Sequence, residues 1–416
     1  MDNDWIKREI APKVLNLAKE KPVVSIVGPR QSGKTTLCKM LFPKKAMVSL
    51  EDIDEREFAR EDPRGFLNRF PDGVVIDEVQ RVPGLLSYIQ TLVDNRNEKG
   101  LFILTGSDQL NLSGEISQSL AGRTGIVKLL PFSLDEAYGD KLQTQTIESV
   151  LYTGFYPRIF KDNLNPSQEM NDYIETYINK DVRRLVNIKK QNNFDRFLKI
   201  CAGRTGQLLN IDSLGSDCGL DNQTVKEWLA ILEASYAIKL IAPFHNNYDK
   251  RLIKSPKLYF LDTGLACRLI GITDPSQLIT HPLKGEIFET FVISEILKKQ
   301  FNSPGVPEDL YFFRDNKFEV DLLFQKNAKL VQIEIKSGQT IGSDFFKNLL
   351  HLRNISFKKP GPEIEESILI YGGDDNYTRN DIKVMSWKNL PGLEVKKTLG
   401  AELVEQEDPE EDHRPR

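Results

Sequence analysis

A short glycine-containing motif near the start of the chain carries residues suited to phosphate chemistry. Gly28 to Thr35 reads G-P-R-Q-S-G-K-T and matches the pattern G-x-x-x-x-G-K-[ST] in full. Glycines let backbone N–H groups turn toward phosphate oxygens, and the helix that follows favours an anion at its N-terminus. Lys34 should reach the β- and γ-phosphates of ATP, and the Thr35 hydroxyl should ligate Mg²⁺. The predicted nucleotide-binding residues are Gly28, Pro29, Arg30, Gln31, Ser32, Gly33, Lys34, Thr35 and Thr36.

Two acids follow a second apolar run. Val74-Val-Ile76 has the composition of a buried strand and leads directly into Asp77 and Glu78. At the carboxyl edge of such a strand, Asp77 can hold Mg²⁺ through water, and Glu78 can polarise the attacking water as a general base. The plainer interpretation is a strand end with solvated acids. The nearby phosphate loop favours the catalytic interpretation.

Two more polar positions could contribute to the same chemistry. Ser107, in L-T-G-S, ends the next predicted strand and is the candidate for orienting water, with Asp108 and Gln109 as alternatives. An ordinary strand-ending turn would also explain these residues. Arg123 lies in the polar stretch S-L-A-G-R-T-G. An arginine there could cross a subunit interface and stabilise transition-state charge on a neighbour's ATP.

The order of elements predicts how these residues are positioned. Strands alternate with helices over residues 1–130, which predicts a parallel sheet covered on both faces. Residues 131–192 are mostly helical and suit a lid. A helix, a turn, a helix and a hairpin in residues 193–263 predict a winged helix-turn-helix. An α/β unit is expected over residues 264–396. The acidic tail, residues 397–416, should be disordered.

The amino-terminal motifs together resemble the AAA+ ATPase domain found in bacterial and archaeal proteins. The signatures are G-P-R-Q-S-G-K-T, V-I-D-E-V-Q, L-T-G-S and S-L-A-G-R-T-G, and the rest of the chain resembles the domain of unknown function that usually follows. The resemblance implies a ring or other oligomer in which Arg123 acts in trans. Ser107 departs from the asparagine common at the polar sensor position of AAA+ proteins, which leaves its role open.

A second group of chemically competent residues lies in the last third of the chain. Glu289 is on the predicted helix Gly285 to Gln300, Asp321 begins a predicted strand, and Glu334 and Lys336 lie on the next. Side chains alternate faces along a strand, so Glu334 and Lys336 share one face. Asp321 and Glu334 could bind Mg²⁺ or Mn²⁺ while Lys336 positions water. The alternative is a buried ionic network retained for packing or DNA contact.

This arrangement is similar to the PD-(D/E)xK nucleases, with Glu289 in the place of their helix carboxylate. The motif is short, and its order and strand context strengthen it. The sequence departs from the family because Glu319-Val-Asp321 replaces the usual Pro-Asp. The resemblance implies a metal-dependent endonuclease fold and leaves cleavage itself open.

Nucleic-acid contact is expected mainly from the predicted wing. The helix Asn222 to Ala234 carries Glu227 and Glu233 against one lysine, Lys226, which is a poor surface for phosphates. The wing is more basic, so contact should be to the DNA backbone with little base readout. A protein-binding role for the same unit is an equal alternative. The candidate DNA contacts are Lys250, Arg251, Lys254 and Lys257, beside Tyr248.

Composition narrows the class of protein. The net charge of −4 excludes a molecule that is basic overall, so any DNA contact must be local. The four cysteines and four histidines are scattered without metal-ligand or redox spacing, which predicts reduced, buried thiols. The sequence carries neither a secretory signal at its start nor an apolar run long enough for a bilayer. A cytoplasmic protein is expected.

The leading functional hypothesis is ATP hydrolysis that drives conformational work on DNA or a nucleoprotein. The protein should act as a homo-oligomer, such as a hexameric ring, without a membrane. One alternative is an ATP-regulated, metal-dependent DNA endonuclease with a second Mg²⁺ or Mn²⁺ in the C-terminal domain. The other is a signalling switch in which the ATP state controls a protein partner. The expected fold is α/β: a P-loop core and helical lid, a winged helix, and a PD-(D/E)xK-like domain.

Overall fold

The structure is a computed structural model with two β-sheets. It describes residues 5–96, 98–107, 120–182, 191–244, 255–303, 309–315, 318–326, 329–354 and 363–395. One sheet has five strands and carries the amino-terminal motifs. The other has nine strands and extends through the second half of the chain.

The first sheet is wholly parallel, which confirms the α/β class predicted from alternating strands and helices. Its spatial order is β2-β3-β4-β1-β5. All residues of β1, β3 and β4 are buried because helices cover both faces, and this burial explains why their sequences are mostly apolar. The strands are β1 (Val23–Val27), β2 (Ala46–Ser49), β3 (Val74–Asp77), β4 (Phe102–Gly106) and β5 (Thr124–Lys128).

Within the described residues up to β4, five helices accompany this sheet. The charged stretch after β2 forms two helices, because Asp62 caps a new helix whose first residue is Pro63. A single turn of 3₁₀ helix, Val79–Arg81, follows β3. The helices are α1 (Ala11–Glu20), α2 (Lys34–Leu41), α3 (Ile53–Glu61), α4 (Pro63–Asn68) and α5 (Leu85–Arg96).

The segment after β5 is helical, as expected for a lid. Ser133 begins it with a capping box in which the Glu136 side chain accepts from the Ser133 backbone N–H. The helices are α6 (Leu134–Tyr138), α7 (Ile147–Thr153), α8 (Pro157–Lys161) and α9 (Pro166–Tyr173), with a 3₁₀ turn at Gly139–Thr144 and a π-helical stretch at Ile174–Val182.

Three helices and a small antiparallel sheet form the next unit. Strand β8 lies between β7 and β6 and is antiparallel to both. The two-residue strand β6 was not predicted because so short a segment has no readable alternation. The elements are α10 (Gln191–Gly203), β6 (Gln207–Leu208), α11 (Ile211–Cys218), α12 (Asn222–Ala234), β7 (Ile238–Pro243) and β8 (Lys257–Phe260).

The last third continues the same sheet. Strand β7 pairs in parallel with β9, so the full order is β13-β14-β12-β11-β10-β9-β7-β8-β6. Short 3₁₀ segments lie at Pro275–Ile279, Ser343–Phe346 and Trp387–Gly392. The elements are α13 (Thr263–Leu269), α14 (Lys284–Asn302), β9 (Leu310–Arg314), β10 (Glu319–Lys326), β11 (Lys329–Lys336), α15 (Lys347–Asn354), β12 (Ile364–Tyr371), β13 (Tyr377–Arg379) and β14 (Ile382–Ser386).

Helix α14 joins the two halves of the molecule. One continuous apolar core includes residues of the parallel sheet, the lid and α14. Phe291 of α14 stacks on Phe155 of the lid, with ring centroids 5.8 Å apart. Nearly every position of α14 from Ile287 to Phe301 is buried. The helix is therefore a core element for both sheets.

Two further observations concern the cysteines and the apolarity of the helices. Cys38, Cys201, Cys218 and Cys267 are all buried and unbridged. Among the helices that the structure describes, none combines the length and apolarity needed to cross a membrane.

Candidate nucleotide site and C-terminal charged cluster

The phosphate loop connects β1 to α2 at the carboxyl edge of the parallel sheet. Gly33 has φ +93°, in the left-handed region that favours glycine. Gly28 leaves no room for a side chain, since an added Cβ would lie 2.1 Å from the Leu129 carbonyl oxygen. The Ser32 hydroxyl and the Gln31 side-chain oxygen are buried and have no hydrogen-bond partner among the described residues. A loop with buried polar atoms in need of partners fits a polar ligand.

Lys34 begins α2 and faces back across the loop. Its ammonium group donates to the carbonyl oxygens of Gly28 (3.0 Å) and Pro29 (2.8 Å). Burial disfavours the charged form and lowers the pKa of Lys34 to about 8, although the carboxylates of Glu78 and Asp77 act in the opposite direction. The hydrogen-bond partners of Lys34 given above are neutral carbonyl groups, and a bound phosphate would supply a negatively charged partner.

Asp77 ends β3 beside the first turn of α2. The Thr35 hydroxyl lies 3.2 and 3.1 Å from the two carboxylate oxygens of Asp77. Thr105, on the neighbouring strand β4, also donates its hydroxyl to Asp77. The sequence motifs therefore converge, and two oxygen groups suited to Mg²⁺ lie together at the sheet edge.

Glu78 follows in a left-handed backbone conformation, with φ +56°. Its backbone N–H donates to the Thr105 hydroxyl (3.3 Å), and one carboxylate oxygen accepts from Ser107 (3.0 Å) and from Gln80. A non-glycine residue with positive φ is uncommon and is often found at functional positions. Ser107 thus lies beside Glu78, whereas Asp108 and Gln109 lie outside the described residues.

A cavity of about 510 Å³ opens between the loop and the lid. Glu78 lies at one side of it, and Pro157 and Arg158 of α8 approach from the lid. Arg158 is held by the buried carboxylate of Glu169, 2.9 Å away. The space suits a ligand the size of a nucleotide. Other lining residues include Trp5, Arg8, Arg30, Gln31, Gly33, Lys34, Thr35, Thr36, Phe132 and Tyr177.

Three family models match successive stretches of the chain. An AAA domain model matches residues 20–138, which contain the parallel sheet and the phosphate loop. The amino-terminal part of the chain is therefore similar to AAA domains over these residues, and it is called the AAA domain below. Two domains of unknown function, DUF8612 and DUF4143, match residues 144–276 and 284–390.

Several known proteins are similar to this chain over most of their length. An uncharacterized protein of Mycobacterium tuberculosis is 28% identical over 338 residues, covering 80% of this chain and 74% of the relative. Another, from Haemophilus influenzae, is 22% identical over 298 residues, covering 68% and 70%. Among solved structures, a Walker-type ATPase of Pyrococcus abyssi has a TM-score of 0.41 at 15% identity and covers 64% of this chain and 97% of its own. A RuvB variant of Thermotoga maritima has a TM-score of 0.30 at 19% identity, covering 56% and 89%.

Arg123 lies at the opposite edge of the AAA sheet from the nucleotide cavity. It precedes Thr124, which pairs with Val23 at the start of β1, whereas the phosphate loop follows Val27. Four residue-to-residue steps along β1 separate Val23 from Val27, a distance of about 13 Å. The guanidinium pairs with Asp94 of α5 through two nitrogens, one at 2.9 Å. Arg123 is thus on the surface and away from its own nucleotide site.

The four residues predicted for a nuclease site are brought together, but with an additional cation. Lys336 lies 2.7 Å from Glu334 and 3.7 Å from Asp321. The buried Lys257 lies 3.0 Å from Glu289 and also pairs with Glu319. The group is called the charged cluster below and comprises Lys257, Glu289, Glu319, Asp321, Glu334 and Lys336.

The electrostatics of the charged cluster reflect burial. Burial raises the pKa of Glu334 to about 8 and that of Glu289 to about 7, and repulsion from Asp321 adds to both shifts. Burial opposes charge on Lys257, but Glu289, Asp321 and Glu319 outweigh it and raise its pKa. The carboxylates thus stabilise both lysines as cations.

These pairings do not support the second metal site expected from sequence. Lys336 and Lys257 contact the carboxylates that were expected to hold Mg²⁺ or Mn²⁺. In the part of the chain that the structure describes, no group of three or more acidic, histidine or cysteine residues is arranged to hold a metal. The sequence did not predict the pairing with Lys257, because this lysine lies on a different strand and is distant in sequence from Glu289 and Glu319.

The structure also corrects one predicted DNA contact. Lys257 is only 3% exposed and pairs with Glu289 and Glu319, so it is not available to a phosphate backbone. The other basic residues of the predicted wing, Lys250, Arg251 and Lys254, lie outside the described residues.

Sequence reasoning missed several polar residues at the nucleotide site. Thr105 lies in the motif L-T-G-S, two positions before Ser107, and Gln80 lies in V-I-D-E-V-Q, two positions after Glu78. Both could have been predicted by considering every polar residue near the ends of neighbouring strands. Arg158 follows Pro157 at the start of a lid helix, which is a weak signal. Arg8 precedes all regular structure, and its sequence context gives no indication of its contacts.

Proposed function

We propose that this protein hydrolyses ATP in the cavity between its AAA domain and lid. The observation that carries the proposal is the position of Thr35, Asp77 and Glu78 at one sheet edge, beside a loop ending in Lys34. Thr35 and Asp77 are the residues that would hold Mg²⁺. Bound there, Mg²⁺ would neutralise negative charge on the phosphates.

The protein groups have separable roles in this proposal. Lys34 binds the β- and γ-phosphates, and Glu78 accepts a proton from the attacking water. Ser107 and Gln80 hold the carboxylate of Glu78, and Ser107 is placed to orient the same water. Thr105 contacts both acids and so fixes their relative position.

Arg123 is proposed to act on the ATP of a neighbouring subunit. Its position at the amino edge of the sheet separates it from its own cavity, and its partial exposure lets it face another molecule. This geometry favours a homo-oligomer, such as a ring, in which one subunit's Arg123 completes the next subunit's site. Asp94 would then hold the arginine in place until assembly.

ATP-driven motion can reach the second half of the chain through α14. The buried Glu295 accepts a hydrogen bond from the Leu134 N–H (2.7 Å) at the start of the lid, and Asn302 donates to Glu9 (3.1 Å) before α1. The other end of the same helix carries Glu289 in the charged cluster. A change in the lid would therefore act directly on a helix shared with the nine-stranded sheet.

The ATP-driven motion is proposed to act on DNA or a nucleoprotein. The three helices α10, α11 and α12 with the antiparallel strands have the element order of a winged helix-turn-helix, a common DNA-binding unit. Contact is proposed through Lys250, Arg251 and Lys254 to the DNA backbone. Cleavage is not part of the proposal, because Lys257 and Lys336 neutralise the carboxylates that a nuclease metal would need.

A signalling switch is the second candidate function. One observation favours it: the recognition-helix position α12 carries Glu227 and Glu233 and only one lysine, Lys226. Such a surface suits a protein partner at least as well as DNA. In this case the ATP state would control exposure of that surface without any nucleic acid.

The experiment that tests both candidates is steady-state ATP hydrolysis with and without single-stranded, duplex and branched DNA. The proposal predicts stimulation that weakens as salt increases and is lost when Lys250, Arg251 and Lys254 are changed together to alanine. A matched triple variant at the exposed lysines Lys19, Lys39 and Lys347 should keep the stimulation. ATP hydrolysis that no DNA changes would favour the switch.

A further inference from the structure

A buried arginine from the segment before α1 borders the nucleotide cavity. Arg8 is only 7% exposed, and its guanidinium lies 4.9 Å from the centre of the Phe132 ring. Burial of a charge is costly unless it is paired and hydrogen-bonded. The partners of Arg8 should therefore indicate why an arginine is placed there.

Those partners come from three separate parts of the AAA domain and lid. One terminal nitrogen donates to the Ser32 carbonyl oxygen (2.7 Å), and the other donates to the Leu130 carbonyl oxygen (2.7 Å). The third nitrogen lies 3.0 Å from the buried carboxylate of Glu136 on α6. Arg8 thus ties the phosphate loop to the residue that leads into the lid. Its nitrogens face protein groups, so it is suited to act through the loop.

The contact to Ser32 fixes the orientation of one peptide plane. The Ser32 carbonyl and the Gly33 N–H belong to the same trans peptide, so they point in opposite directions. With the carbonyl held toward Arg8, the Gly33 N–H faces the other way. Gly33 is in the left-handed region, where glycine has more conformational freedom than any other residue, and this peptide would otherwise rotate easily.

We propose that Arg8 is a positioning residue for phosphate binding. It holds the Ser32–Gly33 peptide so that the Gly33 N–H is presented to the β-phosphate of the nucleotide. The inference rests on the proposed nucleotide site and adds a residue outside its sequence motifs. It predicts that Arg8 contributes to affinity for nucleotides with a β-phosphate and not to affinity for the nucleoside.

The test compares ADP with adenosine on the full chain. Glu136→Gln is the reference, because it removes the buried carboxylate and keeps the guanidinium. Arg8→Met combined with Glu136→Gln removes the guanidinium without leaving an unpaired acid. Calorimetry with ADP and Mg²⁺ and ligand-observed NMR with adenosine give the two dissociation constants. Thermal melting without nucleotide checks that both variants are folded.

The expected result is a loss of ADP affinity of about tenfold or more in the double variant relative to the reference, as for a lost charged hydrogen bond. Adenosine affinity should be the same in both. Equal ADP affinity in the two variants would overturn the inference, and so would a parallel loss for ADP and adenosine. If the wild-type chain binds no ADP, the proposed nucleotide site itself fails.

A second variant covers the case in which the double variant does not fold. Arg8→Lys keeps the charge beside Glu136, but its single nitrogen cannot hold Ser32, Leu130 and Glu136 together. It should show a smaller loss for ADP than the double variant, again with adenosine unchanged. Wild-type ADP affinity in Arg8→Lys would also overturn the inference.

Discussion

The nucleotide site and the charged cluster contain similar residue types, but their charged side chains have different partners. Both combine acids at strand ends with a lysine close in space. In the nucleotide site, Lys34 donates to backbone carbonyls and Asp77 accepts from hydroxyl groups beside an open cavity. In the charged cluster, the buried Lys257 and the half-buried Lys336 both lie against carboxylates.

The difference shows how the partner of a charge decides its availability. A lysine bonded to neutral carbonyls has no direct anionic partner, so its charge is available to an incoming phosphate. When a lysine is paired with a carboxylate, the negative charge of the carboxylate offsets much of the positive potential that would attract an anionic ligand. Short motifs of acids and lysines therefore indicate function only when the structure shows that their charges are not satisfied by one another.

The largest expected effect is on nucleotide binding. Lys34→Ala should abolish ATP binding, because the phosphates lose the cation placed at the loop. Calorimetry with ATP and Mg²⁺ measures this directly. Lys39→Ala, an exposed lysine on the same helix, is the matched control and should bind as the wild type does. ATP binding by Lys34→Ala at near wild-type affinity would show that this lysine is not the cation that binds the phosphates.

The next effect concerns the neighbouring subunit. Arg123→Ala should leave ATP affinity nearly intact and lower turnover by roughly a factor of a thousand or more. Lys34→Ala subunits still carry Arg123, so mixing them with Arg123→Ala subunits should partly restore hydrolysis. A complete lack of rescue at every ratio, with mixing verified, would indicate that Arg123 acts within its own subunit or is structural.

In the charged cluster, the expected effect of a substitution is on stability. Lys257→Met should destabilise the fold by about 3–5 kcal/mol, because Glu289 and Glu319 lose a buried partner. Urea denaturation measures the change. Lys257→Met with Glu289→Gln should be less destabilised than the single variant, since one unpaired charge is removed. A loss below about 1 kcal/mol in the single variant would mean that the lysine is not needed to neutralise these acids.

The smallest effect is a pH dependence of nucleotide affinity. The pKa of Lys34 is lowered to about 8 by burial, so the lysine is charged below that pH and loses its proton above it. ADP affinity should therefore be steady near pH 7.5 and fall as the pH rises toward 9.5, by at most about tenfold per unit. Flat affinity across this range would place the free-state pKa of Lys34 well above 8.

The sequence was sufficient to predict the AAA sheet and the residues at its edge. Each of β1, β3 and β4 is buried on both faces and is mostly apolar in sequence, with Ser25 inside β1 and Thr105 inside β4, and the catalytic candidates lie at or directly after the ends of these strands. Residues at the carboxyl ends of these strands therefore lie close together in space, because parallel strands end at the same edge of the sheet. This is why Thr35 and Asp77 meet as expected.

The charged cluster could not be resolved in the same way. Its predicted residues do lie together, but Lys257 belongs to β8, which shares a sheet with β10 and β11 only through the pairing of β7 with β9. That pairing covers two residue pairs and leaves no signal in the sequence. Arg8 was missed for a similar reason, since its bonds to Ser32 and Leu130 depend on contacts across 24 and 122 positions.

The most direct test of ATP hydrolysis in this site is the turnover of Glu78→Gln under conditions in which ATP binding is measured in parallel. An amide can hydrogen-bond to water but cannot accept its proton, so the variant should bind ATP and lose turnover by about 10²–10⁴-fold. Glu334→Gln, in the charged cluster, should hydrolyse ATP at the wild-type rate. Wild-type turnover in Glu78→Gln would contradict the account, because the base would then lie elsewhere.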